Sequence, residues 1–151
     1  MGRDLSAIIY YGFPISQQFL EDALSLKYDC DDASQYLYKL IEDWKQTDGP
    51  QEPGLVLSDS PEFSEYSTKM AEWRKTRGVD IDYAGVEDYD DEHYYLHLPS
   101  LDESVDDGES FDLRDIDLSY RRDADVAISD FCKFAGIPYQ QPSWHVTAVY
   151  M

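Results

Sequence analysis

"LSAIIYY" spans residues 5–11, and its reading decides the fold. It is a short apolar run, rich in β-branched and aromatic residues, and Gly12 and Pro14 end it. That pattern predicts a buried strand. The other end of the chain, "SWHVTAVYM" (143–151), is again aromatic and β-branched and predicts a second strand. Two apolar terminal strands are expected to lie at the centre of a sheet, with the segments between them covering at least one face.

Those segments read largely as helices. Ser16 can cap one running to about Lys27, with Phe19, Leu20, Ala23 and Leu24 on one stripe. A second opens at Asp32, with Gln35 where a capping box wants it, and carries Tyr36, Leu37, Leu40, Ile41 and Trp44. "TDGPQEPG" (47–54) is a turn-rich linker within one domain, followed by an expected short strand at "LVL" (55–57). Ser60-Pro61 starts a third helix with Phe63, Tyr66, Met70 and Trp73 inward. Lys69, Arg74, Lys75 and Arg77 gather near its end before Gly78, where cations complement the helix dipole. "HYYLHL" (93–98) predicts a strand stopped by Pro99, and "LDESVDDGES" (101–110) a turn or exposed loop. "FDLRDIDLSY" (111–120) alternates as a strand would, with a slip between Leu113 and Ile116 that a bulge or turn near Arg114 would explain. From Asp123 a fourth helix carries Val126, Ala127, Ile128, Phe131, Cys132 and Ala135 to Gly136. The expected architecture is a single α+β domain over residues 1–151: a small mixed sheet, terminal strands central, sandwiched with four helices.

Charge sets the function classes. Thirty-two acids against 12 Lys and Arg give a net charge of −20 in 151 residues. A magnitude of about 2 to 8 suffices to keep a small domain soluble, so something else is expected to maintain the excess. Disorder is argued against by 42% hydrophobic and 15% aromatic residues. Direct nucleic-acid binding is disfavoured, because phosphate recognition needs a basic face. Two cysteines, Cys30 and Cys132, are too few for a disulfide framework, and Cys132 falls on a core stripe. No apolar run reads as a leader or a membrane span, so no membrane association and a cytoplasmic location are expected.

Recognisable chemistry is sparse. Starting at Asp80, the stretch "DIDYAGVEDYDDEHYYLHL" (80–98) supplies Asp80, Asp82 and Gly85 in the register of a calcium loop. It fails at Ala84, and the downstream segment reads as a strand where a paired helix is needed. His93 and His97 lack the H-E-x-x-H order, and His145 sits beside Trp144, so all three read as surface or cross-strand histidines. Nucleophile-elbow, phosphate-loop and dinucleotide motifs are absent. No catalytic residue, metal ligand or cofactor is assigned. Two alternatives remain open: a calcium-responsive module using Asp80 and Asp82, and a small hydrolase uniting His93, His97 or His145 with a carboxylate.

The distribution of charge is the stronger signal. Residues 80–130 hold 18 acids and three bases, a net −15, which leaves −5 for the rest of the chain. A concentrated anionic surface can present carboxylates as duplex DNA presents phosphates, about one charge per 1.7 Å of axis. A protein with a basic DNA channel would be drawn by the same field. The expected contact centres on Asp88, Tyr89, Asp90, Asp91, Glu92 and Tyr94, and Asp102, Glu103, Asp106, Asp107 and Glu109 extend it. The tyrosines suit arginine-rich partners. A homodimer, in which the basic cluster at 69–77 meets the acidic loop of another copy, is the competing arrangement.

"AIIYYGF" (7–13), "DFCKFAGIP" (130–138) and "PSWHVTAVY" (142–150) carry a resemblance to small bacteriophage-type proteins. The chain is similar in size and charge to acidic anti-restriction and anti-CRISPR inhibitors. The resemblance implies a phage-encoded inhibitor, acting in the host cytosol, that occupies the nucleic-acid channel of a host defence nuclease complex. It covers packing segments and assigns no functional residue.

Overall fold

The computed structural model describes residues 5–28, 33–84, 93–105 and 112–150. Its organising element is β1 (Leu5–Ile15). Along one edge β1 pairs with β5 (Ser143–Tyr150) over Leu5–Gly12. Along the other it pairs with β4 (Glu103–Val105) through Ala7–Ile9 and with β3 (His93–His97) through Gly12–Ile15. β3 and β4 thus lie end to end beside one strand, with a 3-10 turn at Pro99–Leu101 between them. β2 (Asp80–Ala84) borders β3 on its outer side.

The fold class is α+β, with four helices and a five-stranded sheet. Two details differ from expectation. Every described strand pair is antiparallel, so the sheet is not mixed. Only the N-terminal strand is central, since β5 pairs with β1 alone.

Residues opposite one another in the register share a face. On the first face Tyr11, Phe13 and Ile15 join Leu96 and Ile81 and pack against helices. The helical side of this core is Leu20 and Leu24 of α1 (Gln17–Ser25), Leu40 and Trp44 of α2 (Ala33–Asp48), and Ala127, Ile128 and Phe131 of α4 (Arg122–Ala135). Among the described residues no helix side chain joins the buried cluster of the second face. The sheet coils until Cα atoms of β2 and β5 come within 8 Å, and a smaller cluster of Tyr10, Ala84 and Tyr95 is buried inside the coil.

Helix ends follow local chemistry. Ser16 Oγ accepts from Phe19 N–H and Ser60 Oγ from Phe63 N–H, each at 3.2 Å, so both predicted caps are formed. Asp32, the expected opening of α2, lies outside the described residues. α4 ends at Gly136, whose φ of 74° is left-handed and natural only to glycine. In α3 (Pro61–Arg77) Met70 is buried, while Phe63, Tyr66 and Trp73 are half-buried.

Two predicted strands do not form. Leu55, Val56 and Leu57 are exposed loop residues. In 111–120 a 3-10 turn occupies Leu113–Asp115, because Asp112 accepts from both the backbone N–H and the guanidinium of Arg114. That local bonding competes with a ladder.

Arg77 ties three helices together. Its guanidinium donates twice to Asp48 of α2, at 2.7 and 3.1 Å, and once to Asp130 of α4 at 2.9 Å. Trp73 Nε1 also donates to Asp48, and Trp44 Nε1 donates to the Arg77 carbonyl. Burial alone would raise the Asp48 carboxyl, but the bonds from Arg77 and Trp73 hold it below its ordinary value. Arg77→Met is expected to lower stability by about 2 kcal/mol in urea unfolding, and Arg77→Lys to recover only part, since lysine cannot make the forked contact.

Candidate functional site

The coiled second face gathers polar groups that its strands would normally give to solvent. β2 contributes Asp80 and Asp82, β3 His97, and β1 Tyr10. The residue just before β4 contributes Asp102. Gly12, directly opposite His97 in the register, brings β3 in close: a Cβ there would lie 1.8 Å from the Leu96 carbonyl oxygen.

His97 is 1% exposed and sits between two carboxylates. Its Nε2 is 2.6 Å from Asp82 Oδ2 and its Nδ1 is 2.9 Å from Asp102 Oδ1. Both partners are acceptors, so both ring nitrogens donate and the imidazole is protonated. Burial alone would lower its pKa, but the bonds to Asp102 and Asp82 outweigh burial and raise it to about 9. Asp80 is raised as well. Burial first, and then the neighbouring Asp82 charge, raise its carboxyl to about 6.

Aromatic rings enclose the ion set. Tyr95 lies 4.6 Å from both Tyr10 and His97 between ring centroids, and Tyr10 stacks on His145 at 5.2 Å. Burial, with Asp102 for Tyr10 and Asp82 for Tyr95, pushes both phenols well above the ordinary range. His145 is held below its usual value, chiefly by burial. The register places His93 on the same face, opposite Ala84. All three histidines therefore share this face, and His97 meets two carboxylates.

The geometry fixes what that meeting can do. A doubly donating imidazolium has no lone pair to take a proton, and a group with a pKa near 9 is a poor general base near neutrality. His97 works instead as a buried cation that fastens β2 and the entry to β4 onto β3. The calcium-loop register is not formed either, because Asp80–Ala84 is a strand. Among the described residues no group of three or more His, Cys, Asp or Glu is placed to hold a metal ion.

The predicted contact residues divide. Asp102 is turned inward onto His97, its side chain 22% exposed. Tyr94 is half-buried, packs against the main core, and meets Tyr83 at 5.3 Å. Glu103 is exposed. Asp88, Tyr89, Asp90, Asp91, Glu92, Asp106, Asp107 and Glu109 lie outside the described residues. Other acids of the segment are engaged locally: Asp112 with Arg114, Asp117 with Arg121, Asp130 with Arg77, and Asp125 as acceptor from Tyr120 and Tyr139.

The anchors of the two acidic runs are nevertheless placed. Residues 85–92 join Ala84 to His93, beside the Ile15 end of β1. Residues 106–111 come after Val105, which pairs with Ala7 at the other end. Ala7 and Ile15 are separated by roughly 26 Å at about 3.3 Å per strand residue.

Asp80, Asp82, His97 and Tyr10 do not stand out together in the sequence. The signal it does hold is the period-two spacing of Asp80 and Asp82 within "DIDYA", which puts both carboxylates on one face once a strand is assumed. Among the described residues no helix is long and apolar enough to cross a membrane. No protein-family model, curated protein or solved structure matches the chain.

Proposed function

We propose that the protein is a non-catalytic acidic binding protein that offers a DNA-like anionic surface to a basic, nucleic-acid-binding protein. In its most concrete form it is a phage-type inhibitor of a host restriction or CRISPR nuclease. The concentration of charge carries this reading: −15 of the net −20 falls within residues 80–130. Among the described residues of that segment Asp82 and Asp102 are taken up by His97, and Asp112, Asp117 and Asp130 by arginines. The anchors of the two densest acidic runs stand apart on a rigid sheet, which suits a ligand groove as long as a stretch of duplex. His97, donating to two carboxylates, is not available as a base, so the hydrolase alternative gains nothing from that residue.

The test is competitive. A basic protein captured from host lysate at low salt and eluted by a salt gradient is purified and loaded with a labelled DNA duplex. The acidic protein is expected to displace the duplex. Reversing Asp88, Asp90 and Asp91 to lysine is expected to weaken the complex at least about tenfold and to flatten its salt dependence. Unchanged affinity would place the interface elsewhere, and simultaneous binding of duplex and protein would end the mimicry reading.

A further inference from the structure

Five of the chain's 12 Lys and Arg residues line two neighbouring clefts on one flank of this anionic molecule. The larger, of about 570 Å³, has Lys45, Arg74 and Lys75 beside an apolar wall of Ile41, Trp73 and Val79. The smaller, of about 260 Å³, opens at the start of α4 and is lined by Lys75, Arg121 and Arg122. Lys75 belongs to both. Glu42, Asp80 and Asp123 are the acids present, so locally five bases face three acids. Most other cations with described side chains are occupied: Lys69, Arg77 and Arg114 in ion pairs, Lys27 over the Phe134 ring. Lys45, Arg74, Lys75 and Arg122 make no ion pair among the described residues.

In the smaller cleft the Arg121 guanidinium is partly engaged, donating to the Asp117 carbonyl at 2.9 Å and lying 3.4 Å from its carboxylate. Arg121 occupies the cap position of α4; its carbonyl accepts from Asp125 N–H at 2.9 Å, but its side chain makes no capping bond. Arg121 Nε is itself buried without a hydrogen-bond partner among the described residues. Cationic side chains gathered at the start of a helix suit a multiply charged oxyanion. The adjoining apolar wall suits an organic body attached to it.

We propose that the two clefts together bind a small phosphorylated organic molecule, its phosphate between Lys75, Arg121 and Arg122 and its apolar or aromatic body against Ile41, Trp73 and Val79. The site is separate from the acidic contact proposed above and stands or falls without it.

The test is an amide NMR titration of the full chain at fixed ionic strength, with adenosine monophosphate, inorganic phosphate and adenosine as probes. Adenosine monophosphate is expected to shift the amides of Arg122, Asp123, Gly78 and Val79, with a Kd at least about tenfold below that of inorganic phosphate. Adenosine alone is expected to leave Arg122 and Asp123 unshifted. Lys75→Ala with Arg122→Ala, both exposed side chains, is expected to weaken the nucleotide at least about tenfold, and Arg74→Glu to do the same independently. The proposal is overturned if roughly 10 mM nucleotide shifts these amides no more than chloride of equal ionic strength, or if the variants bind as the native chain does. Equal affinity for phosphate and nucleotide overturns the role given to the larger cleft.

Discussion

Gly12→Ala is expected to abolish the native packing of the sheet. The reason is space, not backbone freedom. A Cβ at this position would stand 1.8 Å from the Leu96 carbonyl oxygen, 2.8 Å from its carbon and 3.0 Å from His97 Cα. All three are backbone atoms of β3, so no side chain can rotate away to make room. Relief requires β3 to withdraw from β1, which breaks the ladder that runs from Gly12 to Ile15. The same withdrawal pulls on His97 and its two carboxylates. A loss above about 4 kcal/mol is exceptional for one substitution, and it is a large part of the roughly 5 to 15 kcal/mol that stabilises a domain. The variant should show a collapsed urea midpoint and lost near-ultraviolet dichroism from the buried tyrosines. Gly54→Ala is the control, since nothing lies within 4 Å of a Cβ there, and it should stay within about 0.5 kcal/mol of the native chain. An alanine at position 12 with a native midpoint would refute the close approach.

The elements that could be read in the sequence are those whose local chemistry and burial agree. β1 is a continuous apolar run because helices cover one of its faces and the coil of the sheet encloses the other. α4 declares itself by a stripe of Ala127, Ile128 and Phe131 and by a glycine at the turn that only glycine makes easily. Ser16 and Ser60 mark their helices because a hydroxyl at the cap satisfies a first-turn N–H.

Illegible elements are those in which a polar residue is buried by a distant partner. β2 reads as a solvated acidic stretch because Asp80 and Asp82 look like surface residues, and Asp82 is half exposed; hidden from the sequence is the buried cation of β3 that shares their face. β4 is three residues long, and only its pairing with Ala7–Ile9 reveals it. Conversely, 111–120 has the alternation of a strand, but Asp112 spends its carboxylate on Arg114 two residues away. β5 looks central because it is rich in aromatic and β-branched residues, and one of its faces is the stacking surface of Tyr10 and His145 within the coil. The candidate site was thus legible in composition, as an acidic segment with histidines. Its assembly depended on a register that no single segment encodes.

His97→Gln should be the most damaging substitution in the interior of the coil, and its signature is a changed pH profile as well as lost stability. Glutamine keeps much of the volume but not the charge, which leaves Asp82 and Asp102 facing each other with Asp80 nearby. Breaking a buried ion pair costs about 3 to 5 kcal/mol, and with Asp82 half exposed to water the loss is expected at or below the low end of that range. The native chain supplies the matching pH effect. Folded His97 keeps its proton up to about pH 9, whereas the ordinary value is 6.5. Its contribution is therefore complete below 6.5 and gone above 9, so stability falls as pH rises through that window. At about 1.36 kcal/mol per unit the fall is on the order of 3 kcal/mol, or roughly 6 to 12 °C in Tm for a domain of this size. Asp80 acts in the same direction at lower pH: its folded carboxyl holds a proton between its ordinary 3.8 and about 6 that the unfolded chain has released. Repulsion among the net −20 charges adds to both steps. Thermal melts from pH 4 to 10 should show the native protein most stable on the acid side and descending twice, and His97→Gln should lose only the upper step. A native profile that is flat between 6.5 and 9 would mean that His97 is not the cation joining these strands. Because Ala84 and Val105 lead directly into the two acidic runs, loosening the clasp at high pH should also weaken any partner those runs hold.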